Sequence, residues 1–400
     1  MLARLRKRLY EILFVRLRHD RSVREALFAF ILTRTLIFFI LICVGQLTLT
    51  SKPDTKLHDA SISLDRPQIA RSLREMMVRG DVGHYKALSA GGYLPGPLDL
   101  NNDRSTQFAF FPLQPILLWL LGRVTSDVLL WGAGLSNLLF FLALVFLHKL
   151  TVACGYDESV ASRAVFYLAA FPASYFFSVP MTESLFVVLT VASFYAAKRE
   201  RWWTAGVIGV LASATRLTGV LLLPSLLVLS WQMYRSLQIK KILGLLLIPF
   251  GLFAYMFYSW RLTGDALAFK HAQAAWGREP SIFFLRSVIN WLVGPHLITP
   301  WNVELFSVVS ALLCFVCIYI LARRREWAFA LYTLISIILP LSSGNLQSLE
   351  RYTMGFFPIF IALGIAAKSE HCDQSIRVVF VFLLGIMTAL YAAGYSNALT

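Results

Sequence analysis

Long apolar runs joined by short polar links set the pattern of this chain. The first run covers 26–49, and a membrane-crossing helix needs about 20 mostly apolar residues. It is too long, and too far from the start, for a cleavable signal peptide. Further apolar blocks lie at 107–122, 128–147, 159–179, 181–197, 202–234, 242–260, 303–321, 327–341, 353–367 and 378–395. Spans of that length predict an all-α polytopic membrane protein with about 9–11 transmembrane helices. Residues 26–400 read as one transmembrane domain, preceded by a basic amphipathic segment at 1–25. The block 202–234 is long for one pass and breaks at 214–219. Two short helices that enter and return fit it as well as one kinked span.

Composition narrows the class. The chain is 58% hydrophobic and 15% charged, with a mean hydropathy of +0.65. A soluble domain carries about 25% charged residues, so this one has too few to cover a water-exposed surface. The long apolar runs also exclude disorder and coiled coil. Lys and Arg number 37 against 22 Asp and Glu, giving +15. In a nucleic-acid binder that excess would form basic stripes on polar surface; here it sits between apolar blocks, so no nucleic-acid partner is expected.

The placement of charge orients the chain. Residues 1–25 hold eight basic and three acidic side chains, which the positive-inside rule assigns to the cytoplasm. The polar stretch 50–106 then lies outside, and it carries seven of the 22 acids. Arg235, Lys240 and Lys241 face in, 261–302 faces out, Arg323, Arg324 and Arg325 face in, 342–352 faces out, and 368–377 faces in. Between 107 and 201 the loop charges nearly cancel and the rule has little to count. Arg34, near the inner third of the first helix, is expected to snorkel to the interface. The five cysteines include Cys314 and Cys317 inside an apolar helix, where buried structural thiols are the expected reading. No metal site, no phosphate-cradling glycine loop and no internal repeat stand out.

Polar chemistry gathers where the chain meets the outer surface. Arg79, Asp81, His84, Tyr85 and Lys86 fall within eight residues just before the chain returns to the membrane. On a helix Asp81, His84 and Tyr85 share one face. A carboxylate there suits a general base, with Arg79 or His84 holding it ionised and oriented; a solvated interfacial helix with local ion pairs accounts for the same spacing. Glu183 and Arg216 lie inside apolar blocks, where a charge is costly unless paired or facing an aqueous cavity. Two further polar clusters follow outside. One runs from Asp265 through Lys270, His271, Gln273, Trp276 and Arg278, and the other from Ser342 to Glu350, Arg351 and Tyr352.

These segments, in this order, resemble the PIG-V-like mannosyltransferases, integral-membrane glycosyltransferases of GT-C type. Asp81-Val82-Gly83-His84-Tyr85 with Gly92-Tyr93 is similar to the family's Trp-Asp-x-x-His-Tyr…Gly-Tyr element. Phe110-Phe111-Pro112-Leu113, the 171–178 stretch, Thr182-Glu183-Ser184, Trp202-Trp203, Thr215-Arg216-Leu217-Thr218-Gly219, Trp276-Gly277-Arg278 and Arg351-Tyr352 follow collinearly over roughly 26–367. Gly80 departs from the family's tryptophan, which bears on sugar or lipid preference more than on reaction class.

The resemblance implies a GT-C-like fold with short interfacial helices in the first external loop. It also implies mannose transfer with inversion from polyprenyl- or dolichyl-phosphate mannose to a lipid-linked acceptor, on the external or lumenal face, with Asp81 catalytic. The candidate substrate-binding residues are Arg79, His84, Tyr85, Glu183, Arg216, Lys270, His271, Gln273, Trp276, Arg278, Glu350 and Arg351. No cofactor or metal is expected. The implied partners are membrane lipids, the lipid-linked donor and acceptor, and a small membrane subunit of unspecified kind. The multi-pass location reads as a bacterial plasma membrane, or the endoplasmic reticulum membrane in a eukaryote. A lipid-linked-saccharide transporter would share the helices but calls for inverted repeats between halves. A non-catalytic subunit on the same fold is the third reading.

Overall fold

The computed structural model describes residues 20–50, 65–99, 103–236, 238–278, 283–295 and 303–394. Most of the basic segment (1–19) and parts of both long polar loops (51–64, 100–102, 279–282 and 296–302) lie outside the described residues, as do 237 and 395–400. Among the described residues every regular element is a helix and none is a strand.

Helix α1 (Arg21–Thr50) is 30 residues long, about 45 Å at 1.5 Å per residue. It leads to two short surface helices, α2 (Arg66–Met77) and α3 (Val82–Gly91), then α4 (Leu113–Gly122). The bundle proper continues with α5 (Val128–Ala153), α6 (Glu158–Ala170), α7 (Thr182–Lys198), α8 (Trp202–Ser213), α9 (Leu222–Tyr234) and α10 (Phe250–Thr263). After the outer helix α11 (Arg286–Val293) come α12 (Glu304–Arg323), α13 (Trp327–Leu341), the single-turn α14 (Leu349–Met354), α15 (Pro358–Ala366) and α16 (Glu370–Ala392). Among the described residues six segments are long and apolar enough to cross a membrane: α1, α5, Leu217–Tyr234, Leu243–Thr263, α12 and α16. Their outward faces carry exposed Phe28, Phe39, Trp131, Phe253, Phe257, Val316, Tyr319 and Phe382. So much exposed apolar surface is untenable in water and ordinary against lipid. The protein is a multi-pass membrane protein.

Short turns at one end are laced together. Lys149 pairs with Asp20 at 2.8 Å, Tyr156 donates to Glu326 at 3.0 Å, Lys241 reaches Glu200 at 3.3 Å, and the Gln232 amide donates to the Arg325 carbonyl at 2.6 Å. This is the basic end of the molecule. Helix α7 runs from the opposite end through the middle of the bundle, buried along nearly its whole length. Its buried Ser184, Thr190 and Ser193 hydroxyls bond to backbone carbonyls, as in Ser193 to Ala205 at 2.9 Å, so these groups are satisfied without lipid or water.

Two readings from the sequence change, and one open alternative is settled. Arg34 does not snorkel. It is 3% exposed and donates to the Ala169 and Ser174 carbonyls at 3.0 and 2.9 Å and to the Ser174 and Ser178 hydroxyls at 2.6 and 3.1 Å. Its fork thereby satisfies the broken backbone between α6 and α7, which no water reaches. The block 107–122 is not a pass: α4 spans about 15 Å. Leu113 at its start donates to the Ala214 carbonyl at 3.2 Å, and the chain from its end enters α5 at that same end of the bundle. The block 202–234 resolves as two antiparallel helices, α8 and α9, parted at Arg216, whose backbone is fully extended (φ −153°, ψ 149°). The close crossing rests on glycine: a Cβ on Gly219 would lie 2.3 Å from the Ala212 carbonyl carbon.

Candidate active site

The end opposite the basic turns holds a cavity of about 440 Å³. Its walls come from α3, the 109–111 stretch, the α8–α9 break, the helical turns at 268–276 and the α13–α14 link. Asp81 sits just before α3, following Gly80 at φ 62°. That left-handed backbone is open to glycine and strained for a bulky residue.

Asp81, Glu183, Arg216 and Arg351 meet here from four segments. Arg351 Nη1 donates to Asp81 Oδ2 at 2.6 Å while its Nε donates to Glu183 Oε1 at 2.5 Å. Arg216 pairs with the same Glu183 oxygen, and its Nε donates to the Thr182 hydroxyl at 2.9 Å. The Tyr85 and Thr182 hydroxyls lie 3.4 Å apart. Two carboxylates and two guanidinium groups make a neutral, charge-assisted network, the arrangement under which buried charges are tolerated. The Arg351 guanidinium rests over the Phe176 ring at 5.1 Å and Arg216 over Tyr352 at 5.6 Å. Asp81 Oδ1 has no partner among the described residues and is left to the cavity.

Beyond that network the wall carries two more cations. Arg278 donates to the Gln273 side-chain oxygen at 2.8 Å and lies over Tyr352 at 5.5 Å; its buried Nε has no partner among the described residues. Lys270 is exposed and has no carboxylate partner among the described residues. Arg216, Lys270, Arg278 and Arg351 against Asp81 give the lining a net of +3, and Glu183 behind it brings this to +2. Trp276 closes one side, held by the Asn345 amide on its carbonyl at 3.2 Å and packed edge-on against Phe110 at 5.7 Å. The cavity is thus cationic at its polar end and aromatic or aliphatic elsewhere, with Phe111, Phe269, Leu339 and Phe356 in the wall.

The remaining sequence candidates stand apart. Arg79 turns away to donate to the Tyr391 carbonyl. His84 stacks on Phe110 at 4.6 Å and supports the wall from behind. His271 faces Asp265 at 2.6 Å on the outer surface. Glu350 points back into the bundle, where its Oε2 accepts from Ser307 at 2.6 Å. Thr182 and Tyr352 belong to the site although neither is among the candidate substrate-binding residues read from the sequence. Both flank residues that are, so neighbourhood in the sequence was the available signal. Among the described residues no cluster of His, Cys, Asp and Glu is placed to hold a metal ion.

Comparison with known proteins bears on what such a cavity does. Residues 27–275, more than half of the chain, match the family model described as mannosyltransferase (PIG-V). The human GPI alpha-1,6-mannosyltransferase 2 is 26% identical over 217 residues, which is 48% of this chain and 42% of that protein. This chain therefore aligns with less than half of that relative's length. Two crystal structures of the Archaeoglobus fulgidus oligosaccharyltransferase are similar in shape. One carries a tethered acceptor peptide (TM-score 0.46, 11% identity, 91% of this chain and 55% of that one). The other is a complex with Zn and sulfate (TM-score 0.40, 12% identity, 90% and 53%).

Proposed function

The chain belongs to the PIG-V mannosyltransferase family, and from that premise we propose that it moves mannose from a polyprenyl-phosphate donor to a hydroxyl of a lipid-linked acceptor, with Asp81 as general base. The observation that carries this reading is the pairing at Asp81: one oxygen is fixed by Arg351 and the other is free toward the cavity.

In this reaction the acceptor oxygen attacks the anomeric carbon and the bond from that carbon to the phosphate oxygen breaks. The electron pair leaves with the phosphate, and the hydroxyl proton passes to Asp81 Oδ1. Attack from the face opposite the leaving group inverts the anomeric centre. Arg351 orients Asp81 by holding its Oδ2 at 2.6 Å. Glu183 in turn holds Arg351 and Arg216, because a lone guanidinium at that depth would not stay in place.

The leaving lipid phosphate gains negative charge as the bond breaks, and fixed cations stabilise that charge in proportion to how well they are aimed beforehand. Arg351 and Arg216 are already committed to carboxylates. Lys270 and Arg278 are not, so the phosphate is assigned to them, with Arg216 within the same wall. Trp276 and Tyr85 offer faces for the sugar, and the apolar wall suits a polyprenyl chain.

The test is reconstitution with polyprenyl-phosphate mannose and a lipid extract, following labelled mannose. General-base catalysis contributes about 10²–10⁴-fold, so Asp81→Asn is expected to lose at least about a hundredfold in rate while the protein remains folded. Transfer at an undiminished rate by a folded Asp81→Asn protein rules this assignment out.

A further inference from the structure

Helix α3 has a second cavity against it. Where Asp81 and Tyr85 face the site above, Lys86 and Ser89 on the next face of the same helix line a separate cleft of about 540 Å³. The cleft is completed by α2, the end of α4 and the start of α5. The chemistry assigned to the Asp81 cavity makes no use of it.

Three cations line it, Arg74, Lys86 and Arg123, against one carboxylate, Asp127. Asp127 is fully engaged: its Oδ2 takes Arg74 Nε at 2.7 Å and its Oδ1 accepts the Leu130 N–H at 3.2 Å, capping α5. Lys86 and Arg123 have no carboxylate partner among the described residues, so the cleft keeps a net positive charge. Arg123 instead lies over the exposed Trp119 ring at 4.7 Å. Below the cleft Ile116, Trp119 and Leu120 form an exposed apolar stripe along α4. A cationic cleft continuous through Trp119 with an exposed aromatic and aliphatic track has two chemistries, and only an amphiphile satisfies both. A free phosphate would leave the track unused, and a neutral lipid would leave two cations unpaired.

We propose that this cleft binds the phosphate of an anionic membrane phospholipid, with Lys86 and Arg123 on the phosphate and an acyl chain along Ile116, Trp119 and Leu120. The site stands independently of the mannosyl-transfer reading, since it requires nothing of the Asp81 cavity. Its occupant would touch α3 one turn from Asp81.

The full chain is placed in phosphatidylcholine nanodiscs containing a photoactivatable phosphatidylglycerol, and the crosslinks are mapped by mass spectrometry. Losing two hydrogen bonds to a charged phosphate lowers occupancy by at least about tenfold. Labelling is therefore expected within 113–130 and should fall at least about tenfold in Lys86→Gln/Arg123→Gln. It should be retained in Lys86→Arg/Arg123→Lys, which keeps both charges and controls for folding. Equal labelling of 113–130 by a photoactivatable phosphatidylcholine would overturn the proposal, as would labelling indifferent to the double Gln variant. Displacement by millimolar inorganic phosphate as effective as by excess phosphatidylglycerol would reassign the cleft to a soluble anion and equally overturn it.

Discussion

Arg351 is the residue through which the candidate site is assembled. Its guanidinium joins Glu183 and Asp81, which lie 168 and 270 positions away in the chain. Each of these charges was legible as expensive from its apolar surroundings alone, but the pairing was not, because spacing reports neighbours only within a helix or strand. The adjacent Glu350 shows the converse, a carboxylate that looked available and is buried away from the cavity. Burial pushes its carboxyl up to about 7 from 4.5, outweighing the Ser307 hydroxyl and the nearby Arg351. A raised folded-state pKa means that the native protein holds the extra proton between those values. Its stabilising effect is complete below pH 4.5 and is lost as pH rises through about 7. Glu350→Gln keeps a neutral group there at every pH. The melting temperature of the wild type in detergent is therefore expected to fall relative to Glu350→Gln between pH 5 and pH 8. Parallel curves across that range would mean that Glu350 is ionised in the native state.

At the scale of the element, the hairpin of α8 and α9 decides where Arg216 sits. The apolar block at 202–234 showed that a break was present but left its geometry open. Hydrophobic periodicity carries phase only when one face is polar, and a helix between lipid and protein is apolar all round. What does fix the path is close backbone contact. A Cβ on Gly206 would lie 1.8 Å from the Gly244 carbonyl oxygen, and one on Gly251 would lie 2.2 Å from the Val210 carbonyl oxygen. Neither atom can move without shifting a helix. Overpacking of this kind costs about 1–3 kcal/mol, and contact with backbone places Gly206→Ala at the upper end. A clear drop in detergent melting temperature is expected, whereas Gly134→Ala, with nothing within 4 Å of the added carbon, should leave it within error. Equal behaviour of the two variants would show that α8 has slack against 243–247. Arg34 makes the same point with a side chain. A lone cation in an apolar helix was readable, but four of its acceptors belong to a backbone break whose shape only the fold reveals.

For the whole molecule, the class was readable from the scarcity of charge and its placement, since the lipid imposes the same demand on every span. The polar extremes of the bundle are chemically distinct. One end joins short turns through ion pairs and carries Arg323, Arg324 and Arg325; the other holds Asp81 and both cavities. If the positive-inside rule governs insertion, the first end is cytoplasmic and sugar transfer takes place outside. Native Cys372, exposed in the first turn of α16 at the basic end, provides a reporter. With Cys43 and Cys154 replaced by serine, the other thiols, Cys314 and Cys317, are buried and silent. An impermeant maleimide added to sealed cells is expected to leave Cys372 unlabelled until the membrane is permeabilised. A cysteine introduced by Ala87→Cys on the exposed face of α3 should label at once. The reverse pattern would place Asp81 in the cytoplasm, where a donor and acceptor displayed on the outer leaflet could not reach it, and transfer would have to draw on lipids of the inner leaflet.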